Sequence, residues 1–211
     1  MSEELRCIHR HTEKTHPNCF KNGLIKQDWW AGKRIGFLDI ETTDLKADIG
    51  FMLSWCIKPL DEKKILFDMI DKKDMFNGVF DRGLTESLVD AMKSFDIIGT
   101  YYGTGFDIPF IRSRADYHRI DFPEFGSIYH WDLYFRVRSK YKLHRCSLAA
   151  ITAFLDIPGK TPLDISVWFK AKYGDREALK NILEHNRQDV LILESLYKRI
   201  GKYSKWNRSS I

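Results

Sequence analysis

The chain is 211 residues long, 44% hydrophobic and 30% charged, with a formal net charge of +5. That size and balance describe a globular chain with a sizeable core and exclude an intrinsically disordered or fibrous protein. No apolar run approaches the ~20 residues of a membrane span, the start MSEELRCIHRHTEKTH is too polar for a signal peptide, and an intracellular location is expected.

Residues 1–28 have no clear period and read as an N-terminal extension. The stretch CIHRHTEKTHPNC places Cys7, His9, His11, His16 and Cys19 close together. Two thiolates and two imidazoles can close a tetrahedral zinc site. Cys7, His11, His16 and Cys19 are the expected ligands of one structural Zn²⁺, with His9 the alternative to His11. The other two cysteines, Cys56 and Cys146, are expected in the core, since four cysteines are too few for a disulfide scaffold in a chain this long.

From Lys33 onward the pattern becomes regular. RIGFLDIE, IGFMLSWCIK and KKILFDMI read as three strands whose short polar connections suit an antiparallel meander. TESLVDAMKSF has helical spacing with Thr85 as N-cap, and DIIGTYYG gives a fourth strand ending in a glycine-rich turn. FDIPFIRSRADY reads as a helix with Pro109 in its first turn. SLAAITAFL and the long REALKNILEHNRQDVLILESLYKRI, capped by Asp175, supply the remaining strong helices. The expected fold over residues 33–211 is α/β, a mixed β-sheet flanked by helices, and the element order is similar to that of the ribonuclease H-like core.

Carboxylates interrupt this apolar frame at four places. In the first strand Asp39 and Glu41 share one face, because strand side chains alternate. At about 6.6 Å their repulsion is roughly 2.5 kcal/mol at an effective dielectric of 20. On the long helix Ile182, Asp189, Leu193 and Leu196 fall in one narrow arc, with His185 at its edge four residues before Asp189. Asp107 stands where a strand meets a helix. Singly, each has a bland reading as a cap or a solvated charge. Together, four mutually repelling carboxylates call for divalent cations, and hard oxygen donors suit Mg²⁺ or Mn²⁺.

DIETT, GTGFDIPF and HNRQDV, in that order, resemble the three motifs of the DEDD superfamily of 3′–5′ exonucleases, and within it the YprB-type ribonuclease H-like domains. The resemblance runs from about Arg34 to Ile200. It implies Asp39, Glu41, Asp107 and Asp189 as ligands of two Mg²⁺ or Mn²⁺, with His185 orienting or deprotonating the attacking water. Two departures stand out. The spacing His185-x3-Asp189 is that of the tyrosine branch, whereas the histidine branch has x4; and Tyr102 stands where many relatives have asparagine.

Basic stretches with interleaved aromatics follow. RVRSKYKLHRCSL carries Arg138 and Lys142 near Tyr134 and Tyr141, and YKRIGKYSKWNRSS carries Tyr203 and Trp206. Such a pattern suits single-stranded nucleic acid, with Arg138, Lys142 and Tyr102 as expected contacts. The function expected is a metal-dependent 3′–5′ exonuclease acting on single-stranded DNA or RNA, with room for a replication or repair protein as partner. The alternatives are an internally cutting ribonuclease H-like enzyme and a non-catalytic nucleic-acid-binding adaptor.

Overall fold

The computed structural model describes residues 7, 9, 11–21, 29–159, 162–203, 206 and 208–211. The chain forms two compact units, residues 1–33 and 34–211. In the first, a short helix α1 (Pro17–Lys21) carries the buried Cys19, and Cys7 is also buried.

The second unit is built on a five-stranded sheet of β1 (Ile35–Thr42), β2 (Met52–Pro59), β3 (Leu66–Met69), β4 (Ile97–Thr100) and β5 (Tyr129–Asp132), in the order β3-β2-β1-β4-β5. The first three strands form the expected antiparallel meander, while β4 and β5 run parallel to β1. Around the sheet stand α2 (Lys72–Phe76), α3 (Arg82–Met92), α4 (Asp107–His118), α5 (Leu133–Lys140), α6 (Leu148–Phe154), α7 (Ile165–Lys172) and α8 (Arg176–Ile200). The sheet is mixed and flanked by helices, as the sequence led one to expect. No helix among the described residues is long and apolar enough to cross a membrane.

Alternation sorts β1 into two faces. Leu38 and Ile40 join the main core with Leu88 and Met92 of α3 and Ile111 of α4. Phe37 faces α8, its ring 5.2 Å from that of Tyr197, so Asp39 and Glu41 face α8 too. The same helix is pinned near its far end by a buried ion pair, Lys58 Nζ to Glu194 Oε2 at 2.8 Å. Burial alone would raise the Glu194 carboxyl, but hydrogen bonds from Lys198 and Lys58 take it below its ordinary value. Losing either partner of such a pair strands a buried charge, which is strongly destabilising.

Two local expectations are corrected. Helix α3 begins at Arg82 behind Asp81, so Thr85 lies inside the helix and is buried rather than capping it. Asp81 makes no side-chain cap either. Its fully buried carboxylate accepts from the Met52 N–H, from Arg114 and from His118, and so ties β2 to α4. The second correction is Trp206. It is buried, stacked 4.5 Å from Trp131 of β5, and therefore packs the fold instead of offering a free platform. Of the basic tail, Ser204, Lys205 and Asn207 lie outside the described residues.

On β5, His130 is buried with Nε2 2.8 Å from the Thr100 hydroxyl. Burial pulls the imidazole down to about 4, against the opposing charge of Asp132. In the unfolded chain it titrates near its usual ~6.5. A depressed folded value means stability present above pH ~6.5 and lost as pH falls toward 4. Chemical denaturation should show wild type losing about 2–3 kcal/mol more than His130→Gln between pH 7 and pH 4.5. An equal loss in both proteins would remove His130 from the acid sensitivity.

Candidate active site

Asp39 sits opposite Cys56 and Glu41 opposite Ser54 in the β1–β2 ladder. Between Glu41 and Thr42 the register shifts by one residue, a bulge of the kind that re-aims side chains beside functional sites. Cys56 registers the charge nearby: burial first, and then the Asp39 carboxylate, push its thiol far above the ordinary range.

Helix α8 supplies the facing side. Its apolar stripe turns inward, burying Ile182, Leu193 and Leu196, and Asp189 is buried with them. His185 Nε2 lies 3.8 Å from Asp189 Oδ2 and 4.0 Å from Glu41 Oε1. Asn186 donates through Nδ2 to the Asp39 carbonyl at 3.2 Å and to Asp39 Oδ2 at 3.3 Å. The Asn186 side chain thus ties α8 to β1 at Asp39. Trp168 of α7 stands edge-on to the His185 ring, 6.3 Å away.

Asp107 is the first residue of α4, with no side-chain cap at that helix. Its Oδ1 accepts from the Ile40 N–H at 3.3 Å, which brings the carboxylate beside β1. Burial, reinforced by the charge of Asp132, raises Asp107 to about 7 despite that hydrogen bond. A carboxyl held so high is one that a bound cation would ionise readily.

The turn joining β4 to α4 completes the site. Tyr102 adopts a left-handed backbone with φ of 65°, a region where asparagine or glycine is more at ease. The departure from the asparagine of the resembled family therefore falls at a conformationally demanding position. Asp132, at the end of β5, holds the turn in place. It accepts from the Tyr102 N–H at 2.9 Å, the Thr104 N–H at 3.0 Å and the Tyr134 N–H at 3.0 Å, the last capping α5. A Cβ on Gly105 would come 2.7 Å from the Tyr102 ring, so a larger residue there would have to displace that ring. That ring is half exposed and packs edge-on to Tyr134.

These elements enclose an open cavity of about 540 Å³ lined by Asp39, Glu41, Asp107, His185 and Asp189, with Tyr102, Lys46, Phe106 and Trp168 also on its walls. All five expected catalytic residues and Tyr102 meet there. Ligand atoms of Glu41, His185 and Asp189 lie within 4.8 Å of one another. Arg138 and Lys142 are exposed and do not line this cavity. Their neighbours Lys140 and Tyr141 instead line a second cavity of about 580 Å³ with Arg199, Lys202 and Tyr203. Sequence reasoning missed Asp132, Asn186 and Trp168. Asp132 carried a readable signal, an acidic residue just before the helical run LYFRVRSK.

A search of known families and structures agrees with this architecture. Residues 36–201 match the profile of the RNase H superfamily. Over 179 residues the chain is 29% identical to the uncharacterized protein YprB of Bacillus subtilis (strain 168), covering 79% of this chain and 41% of that protein. The family B DNA polymerase of the hyperthermophilic archaeon Pyrobaculum calidifontis shares the fold with a TM-score of 0.65 at 16% identity, over 85% of this chain and 26% of the polymerase. The chain thus spans less than half of either relative. With the profile running from β1 through the whole of α8, and so across every carboxylate of the cavity, the chain belongs to the RNase H superfamily.

Proposed function

We propose that the protein is a metal-dependent 3′–5′ exonuclease that hydrolyses the terminal phosphodiester bonds of single-stranded nucleic acid. The observation that carries this reading is the convergence of Asp39, Glu41, Asp107 and Asp189 with His185 on one open cavity. The donor set is carboxylate oxygen with one imidazole, and it fits Mg²⁺ or Mn²⁺. The four carboxylates would hold two such ions, which when bound supply charge stabilisation for the attacking and leaving oxygens.

The chain's own groups do the rest. Hydrolysis adds water across the P–O3′ bond: a proton leaves the water, its oxygen joins phosphorus, and the 3′ oxygen departs. His185, at the cavity wall beside Glu41 and Asp189, is placed to take that proton, and Trp168 limits the ring's freedom. Lys46 offers a cation to the phosphate, and the exposed face of Tyr102 offers a surface for a terminal base. The second cavity gathers Lys140, Arg199 and Lys202 from two basic segments far apart in sequence. It suits the backbone of the strand upstream.

Incubation with end-labelled single strands of DNA and of RNA in Mn²⁺ tests the reading. Stepwise release of mononucleotides from the 3′ end is the expected result. Long internal fragments would indicate an endonuclease, and bound but uncut strands a non-catalytic adaptor.

A further inference from the structure

We propose that the N-terminal unit is closed by a tetrahedral zinc ion bound by Cys7, His9, His11 and Cys19, with His16 outside the coordination shell as a hydrogen-bond partner of Cys19. The ligand atoms of those four residues all lie within 4.8 Å of one another. Both thiols are buried, 0% exposed at Cys7 and 4% at Cys19, while His9 and His11 lie at the surface and lead to solvent. Neither cysteine is in a disulfide.

The backbone brings the two ends of the motif together. The Cys7 N–H donates to the His11 carbonyl at 2.9 Å, and the His11 N–H donates back to Cys7 Sγ at 3.3 Å. N–H donation to sulfur is the outer-shell support that a metal-bound thiolate uses. A turn at Thr12–His16, held by the His16 N–H to Thr12 carbonyl bond at 3.0 Å, reverses the chain so that Cys19 returns on α1. Thiolate with imidazole is a donor set for zinc and a poor one for Mg²⁺.

Distances separate the ligands from the bystander. Bonds of about 2.0 Å to nitrogen and 2.3 Å to sulfur, at the tetrahedral angle, set an N···S edge of about 3.5 Å. His9 Nδ1 is 3.5 Å from Cys19 Sγ and matches that edge. His16 is not in the group whose ligand atoms all lie within 4.8 Å of one another, and its Nδ1, 2.9 Å from the same sulfur, is in hydrogen-bond range. This revises the expected set by exchanging His16 for His9.

The inference is independent of the nuclease reading, and its test uses the full chain with readouts other than cleavage. Protein purified without chelators should contain about one equivalent of zinc by elemental analysis. Cobalt substitution should give a thiolate-to-cobalt charge-transfer band, which carboxylate-bound cobalt cannot produce. Cys7→Ser, Cys19→Ser, His9→Ala and His11→Ala should each lose the band, and His16→Ala should keep it. The melting transition of residues 34–211 serves as the folding control for each variant. Absence of zinc and no band on cobalt addition would overturn the site, as would a thiol count showing a Cys7–Cys19 disulfide. A band lost in His16→Ala and retained in His9→Ala would overturn the ligand set.

Discussion

Replacing Asp39 by asparagine is expected to lower phosphodiester hydrolysis by about a thousandfold or more, the equivalent of several kcal/mol of transition-state stabilisation, without disturbing the fold. Asp39 lies on the central part of the sheet, and Asn186 donates to its side chain and its carbonyl. An asparagine keeps an acceptor for Asn186 and removes one charge from a crowded group of carboxylates. Metal-free Asp39→Asn should therefore melt at the same temperature as wild type or higher. Mn²⁺ should raise the melting temperature of wild type through its preference for the folded state, and that rise should shrink in the variant. Thermal melts with and without Mn²⁺, beside the end-labelled assay, check both halves. A lower metal-free melting temperature in the variant would show that Asp39 serves packing rather than ion binding.

His185→Ala is expected to cost on the order of 10²–10⁴-fold in rate, the usual range for a positioned acid–base group. Ion binding should survive, since four carboxylates remain, and titration of Mn²⁺ into the variant measures that directly. Wild-type activity should fall on acidification, because an imidazole that already carries the extra proton cannot accept one from water. The alanine variant should lose this dependence. His185→Tyr should retain much more activity than alanine, because the x3 spacing already suits a tyrosine and the cavity beside Glu41 is open. Near-normal turnover and an unchanged pH profile in the alanine variant would reduce His185 to a packed neighbour of Trp168.

The parts of the site legible in the sequence are those set by short periods. Alternation alone puts Asp39 and Glu41 on one face of β1, and the helical arc alone puts Asp189 and His185 on the inward side of α8. What escaped depends on distant partners. Asp132 acts on N–H groups at Tyr102 and Thr104, some thirty positions earlier in the chain, and no local pattern reports that. β5 is only four residues long, and its mixed YHWD carries no clear alternation. Thr85 is a sound cap by type, but the helix starts earlier, behind Asp81, whose carboxylate accepts from the Met52 N–H instead of capping. In the basic tail, charge and aromatic content resembled a binding surface until Trp131 gave Trp206 a stacking partner inside the fold.

Glu41 and Asp189 meet across the sheet–helix interface although 148 positions separate them in the chain. That arrangement has a consequence for a protein being made on a ribosome. A nascent chain that has delivered β1 through β5 already displays Asp39, Glu41 and Asp107, yet it lacks the helix that carries His185 and Asp189. Docking of α8, fastened by Asn186 at one point and by the Lys58–Glu194 pair at another, is the last step that can complete the constellation. On the proposed reading, a polypeptide that still lacks α8 would hold an incomplete carboxylate set and no working nuclease.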